Sequence, residues 1–139
     1  MSLYAVVDTN VLLSALLSKK KDTATVKVLQ AMMKGHFTPL WHEEIMEEYN
    51  DVFHREKFHL KEENIQQVFQ TIKTYGKYVP LLKEIATDEH FIDTDDIIFW
   101  QVMMSERKNG AFLITGNIKH FPNRNFIVTP AQMIEIFNW

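Results

Sequence analysis

Cysteine is absent from the 139 residues. That excludes disulfides, thiolate zinc sites, iron–sulfur centres and a cysteine nucleophile. The start, Met1-Ser2-Leu3-Tyr4, has no basic segment leading into an apolar run and a cleavage site. With no cysteine and no such signal, a reducing cytoplasm is the expected location. Glycine and proline number only four each, and they are scattered. We find no linker, repeat or low-complexity tract, so residues 1–139 are read as a single domain. Long apolar runs are missing too. The longest, residues 11–17, is interrupted by Ser14 and falls far short of the ~20 residues of a membrane span. No membrane partner is expected. Nor is there an excess of positive charge, since 15 Lys and Arg face 18 Asp and Glu for a net −3. A protein that binds nucleic acid over its whole surface is usually basic. A polyanion partner would therefore have to meet a local basic patch or a bound metal.

What is present is ordinary globular material, 46% hydrophobic and 24% charged. A chain of this length buries about two-thirds of its unfolded surface and needs no staples. Residues 3–7 (LYAVV) and 111–115 (AFLIT) are continuous apolar runs with no polar alternation, which predicts strands buried on both faces. Residues 126–128 read as a third strand of this kind. Residues 36–40 give a weaker one, because of Pro39, and 78–82 an extended segment. Helical spacing of apolar residues predicts helices over 11–17, from Asp22 or Thr23 to Gly35, and over 42–58, 61–77, 95–108 and 130–137. Strands alternating with helices imply a parallel sheet covered on both faces. Ligands of such sheets sit beyond the carboxyl ends of the strands. That directs attention to Asp8, after the first strand, and to Thr115-Gly116-Asn117, after AFLIT.

Four groups of residues could carry chemistry. Asp8 lies at the strand rim, where it is either a helix N-cap or a ligand. Asn10 would steady the same loop with its amide. Glu43, Glu44, Glu47 and Glu48 form like-charge pairs four apart, which weaken an isolated helix. Glu43 and Glu44 suit a first turn through the helix dipole, whereas Glu48, beside Tyr49, could point over the sheet rim. Asp93, Asp95 and Asp96 crowd together around Thr94. They repel one another unless hydrated, capping or bound to a cation. Thr115-Gly116-Asn117 on its own is a turn. Taken together, these positions bring carboxylates from separate elements to one rim. Hard cations such as Mg²⁺ take oxygen ligands of this kind. Carboxylates around a divalent cation suit phosphodiester hydrolysis, because the cation orients and acidifies a water and neutralises phosphate charge.

The strings VVDTNVLLSALL, EEIMEEY, IDTDDIIFWQVM and FLITGNIKHFP, in this order and spacing, resemble the PIN domain over residues 3 to about 133. The nearest likeness is to bacterial VapC-like toxin components. The resemblance implies an α/β fold, a three-layer α/β/α sandwich with a parallel sheet of about five strands. It implies an Mg²⁺- or Mn²⁺-dependent endoribonuclease acting on single-stranded RNA, the toxin of a toxin–antitoxin pair, with an antitoxin and a homodimer as further partners. By the same resemblance Asp8, Glu48 and Asp96 bind metal and Asn117 stands at the edge of the catalytic set. Asn10, Asp93 and Thr115 support them. Asn117 departs from the pattern, since many members carry a fourth acid there, and this removes one negative charge.

Bases for the RNA backbone are Lys19 and Lys20, with Lys21 in the same run, and Lys119 and Arg124, with His120 between them. A solvated loop explains either group as well. Trp100 falls roughly opposite the centre of its helix's inner stripe and is the aromatic to watch for base stacking. Phe53, Phe58 and Phe69 are either core or a partner surface. Two other classes compete with the nuclease. One is an RNA- or protein-binding module with weak or no activity, suggested by Asn117. The other is a phosphatase with Asp8 as nucleophile, disfavoured because Asn10 stands where such enzymes carry a second acid.

Overall fold

The computed structural model describes residues 2–81, 91 and 94–139. The apolar run at the start becomes β1, Tyr4–Val7, and the second one becomes β4, Phe112–Ile114. Ala5, Val6 and Val7 are all at most 2% exposed. Successive strand residues point to opposite faces, so three consecutive buried ones require cover on both. The other strands are β2, Thr38–Trp41, β3, Lys77–Tyr78, and β5, Ile127–Val128. All pairings are parallel, in the order β3-β2-β1-β4-β5. The chain steps outward from β1 through β2 to β3, then returns past both to lay β4 on the other side of β1. That reversal makes the carboxyl ends of β1 and β4 the switch point, where open sheets bind their ligands.

Six α-helices accompany the strands among the described residues: α1, Thr9–Leu17; α2, Ala24–Met33; α3, Glu43–Phe53; α4, Glu62–Tyr75; α5, Ile97–Ser105; and, after the last strand, α6, Pro130–Phe137. Helix α5 packs on β1 and β4, and α4 on β2 and β3, while α2 bridges α1 and α6. The caps follow from composition. Thr23 Oγ1 accepts from Val26 N at the start of α2, and Thr129 with Gln132 forms a capping box ahead of Pro130. Gly35 closes α2 at φ +79°, a conformation that favours glycine.

Several boundaries differ from the sequence reading. The helix expected over 42–58 ends at Phe53. Arg55 is extended, and a separate 3-10 turn, Glu56–Phe58, follows. His54 Nε2 lies 2.6 Å from Glu62 Oε2, fastening this break to the start of α4. Such a long-range tie is invisible to helical periodicity. Phe53 and Phe69 stack inside the core, with Phe58 packed against it. Pro39 sits within β2 rather than ending it. Gly76 marks a close approach of α4 and β2, since a Cβ there would meet Ile72 O at 2.2 Å and Pro39 O at 2.5 Å. Trp100 is buried against Phe91 and Phe126, so it is core and presents no stacking face. No described helix is long and apolar enough to cross a membrane.

Candidate functional site

Asp8 follows β1 and precedes α1. Its backbone is extended in the N-cap position, yet its side chain makes no capping bond. Instead Asp8 Oδ2 accepts from Thr115 Oγ1 at 2.7 Å. Asp8 N also donates to Ile114 O at 2.9 Å, so the ends of β1 and β4 are joined at both backbone and side chain. Asp8 is 5% exposed and Thr115 fully buried. The Thr115 hydroxyl accepts from Asn117 N at 3.0 Å. Its one proton is therefore directed at the carboxylate. Helix capping, open to Asp8 on the sequence alone, is not the role its side chain takes.

Glu48 reaches the same rim from the middle of α3. Thr9 Oγ1 donates to Glu48 Oε2. The next residue, Tyr49, is buried and donates its phenol to Val7 O, which fixes α3 against the end of β1. Burial pushes the Glu48 carboxyl above its ordinary range. The Thr9 hydroxyl opposes this, and the charges of Asp8, Asp95 and Asp96 add to the upward push. Burial, with help from Asp8 and Glu48, also raises the Tyr49 phenol well above its usual value and keeps it a donor.

Asp96 comes from a third element, the 3-10 turn Thr94–Asp96 that leads into α5. Its side chain is 14% exposed, and His120 Nδ1 lies 3.3 Å from its Oδ2. His120 ends the short turn Ile118–His120, which Asn117 opens. Beyond Glu48 an open groove of about 510 Å³ runs between α3 and the start of α5, with Glu44, Glu47, Asp51 and Asp95 on its walls. The carboxylates thus collect at the carboxyl end of the sheet, from segments far apart in sequence.

A family model described as PIN domain matches residues 4–119. The chain belongs to the PIN domain family. No curated protein matches it.

PIN domains are generally metal-dependent nucleases that use Mg²⁺ or Mn²⁺ and bind RNA. The carboxylates of this PIN domain offer oxygen alone, the donor that hard cations take. Among the described residues no three Asp, Glu or His side chains stand together closely enough to enclose an ion. An Mg²⁺ site needs only one or two carboxylates, with waters for the rest. The charges of Asp8, Asp95 and Asp96 acting on Glu48 are also what a cation would relieve. The donor chemistry therefore suits such an ion.

The other expected residues fall in different places. Asn10 is exposed on the first turn of α1, and it is Thr115 that bonds Asp8. Asp93 lies outside the described residues. Asn117 is exposed and tied by its backbone to Thr115. Lys119 is exposed in the turn that carries His120, close in sequence to the rim. Arg124 is exposed in the loop before β5, where its Nη1 donates to Asn123 O. Lys19, Lys20 and Lys21 lie at the far end of α1. A nine-residue helix separates them from Asp8 by about 13 Å along its axis. Two contributors were missed in the sequence. Thr9 stands between the two polar residues considered there, and its hydroxyl was the available signal. His120 was read only as a loop base, and no local pattern links it to Asp96.

Proposed function

We propose that this PIN domain is an endoribonuclease that hydrolyses phosphodiester bonds of single-stranded RNA with Mg²⁺ or Mn²⁺. The observation that supports this reading is that Asp8, Asp95 and Asp96 lie near enough to Glu48 for their charges, after burial, to push its carboxyl up; we assign Asp8, Glu48 and Asp96 to the cation. A site arranged so that its carboxylates repel is poised for a cation. When bound, the cation supplies charge neutralisation at the phosphate and acidifies a water. The chain's own residues do the remaining work. Asp8 and Glu48 are held by Thr115 and Thr9, and Asp96 is held at the start of α5. Lys119 is an exposed base close in sequence to the rim and would contact the RNA backbone, a salt-dependent contact that carries no sequence information. Arg124 would extend that contact, and Lys19 and Lys20 would reach only a strand that runs along α1.

The likeness to VapC-like proteins supports the finer reading of a cytoplasmic toxin with a cognate antitoxin and a homodimeric assembly. Asn117 favours a second reading, a PIN module that binds RNA or protein and cuts weakly or not at all, because a neutral amide stands where a fourth acid is usual. Cleavage of a labelled single-stranded RNA separates the two. Wild type and Asp96→Asn are compared with Mn²⁺, Mg²⁺ or EDTA. Metal-dependent cleavage that nearly vanishes in the variant is expected. Equal cleavage by both would expose a contaminating nuclease. No cleavage by folded wild type under any metal would favour the binding module, and Asn117→Asp would then test whether the missing charge is the cause.

A further inference from the structure

We propose that Thr9 is a positioning residue for Glu48, orienting that carboxylate so that one oxygen is taken by the hydroxyl and the other is left for a divalent cation. The inference rests on the nuclease reading above. Thr9 is only 4% exposed, although it is the first residue of α1, and its Oγ1 reaches across 39 positions to donate to Glu48 Oε2. Nothing in helix formation requires that contact, because the first helical residue needs no side-chain bond. Among the described residues no Lys, Arg or His makes an ion pair with Glu48. The choice of a hydroxyl matters. A lysine or arginine would orient the carboxylate and also neutralise it, whereas a threonine donates one hydrogen bond and leaves the charge intact. Thr115 does the same for Asp8 at 2.7 Å. The β-branched side chain of Thr9 has few rotamers, and its burial restricts them further.

The test is Mn²⁺ binding to the full chain, read by the electron paramagnetic resonance of free Mn²⁺, so that no catalytic turnover is involved. Groups that orient metal ligands typically change affinity by 10–100-fold. Thr9→Val, which keeps the shape and removes the donor, is expected to weaken Mn²⁺ about tenfold, and Thr9→Ser to stay within about twofold of wild type. If Thr9 acts through Glu48, Thr9→Val adds nothing in a Glu48→Gln background. Circular dichroism checks folding, and Thr9→Ala carries the same expectation should the valine variant not fold. Wild-type affinity in folded Thr9→Val, or losses in the two variants that multiply, would overturn the proposal while leaving the nuclease reading standing. Failure of the wild type itself to bind Mn²⁺ would refute that reading and this inference with it.

Discussion

Replacing Thr115 by valine isolates one hydrogen bond in the core of the site. The side chains are nearly the same shape, so packing is kept and the hydroxyl is lost. Thr115 is fully buried and its bond to Asp8 Oδ2 measures 2.7 Å. A hydrogen bond to a charged group contributes about 1.5–3 kcal/mol, and its loss from a buried carboxylate falls at the upper end. The second bond lost, from Asn117 N, adds little because Asn117 is exposed and water can replace the acceptor. We therefore expect destabilisation of about 2–3 kcal/mol. For 139 residues the unfolding entropy is about 0.3 kcal/mol/K, so Tm should fall by about 7–10 °C. Urea unfolding followed by tryptophan fluorescence gives the free energy, and calorimetry gives Tm. Thr115→Ser should recover most of the loss. A change below about 0.5 kcal/mol in Thr115→Val, the range of an ordinary surface substitution, would refute the claim that this bond holds Asp8 in place.

Glu48→Gln should stabilise the metal-free protein at pH 7 by about 1 kcal/mol, as relief of a functional site commonly does. The sign follows from the raised folded pKa of Glu48. Its contribution favours the fold below the ordinary carboxylate value and is lost as pH rises through the raised value. The variant should therefore gain nothing near pH 3, and equal gains at pH 3 and pH 7 in urea titrations would contradict the assignment. Mn²⁺ at a hundred times its Kd should add about 2.7 kcal/mol to wild type at pH 7. The gain should fade below the carboxylate range as protons displace the cation, and a pH-independent rise in Tm would point to binding elsewhere. Gly76→Ala should cost more than about 3 kcal/mol or block folding, because the new methyl would lie 2.2 Å from Ile72 O. An unchanged urea midpoint would show that both the end of α4 and β2 give way around the new methyl.

The sequence by itself determined the sheet and its rim. LYAVV and the AFLI of AFLIT run without polar alternation, and a strand covered on both faces buries such a run, so β1 and β4 were legible from the sequence. The start of α2 was legible to within Asp22 or Thr23 and that of α6 at Pro130, since helix-start chemistry is local. Asp8, Glu48 and Asp96 were legible as candidates because they are acids at a strand end, in a like-charge helix pair and in an acid cluster, and because the strings around them resemble the PIN domain. The side-chain partners of these acids could not be read. Thr115 reaches Asp8 over 107 positions and Thr9 reaches Glu48 over 39, and no periodicity encodes a contact at such range. His120 beside Asp96 and the break after Phe53 belong to the same class. Whether Asp8 caps α1 or serves the rim was also left open by the sequence, because both roles put the same residue at the same position. Packing decided it, since docking β4 against β1 brings a buried hydroxyl to the carboxylate and turns it away from the helix.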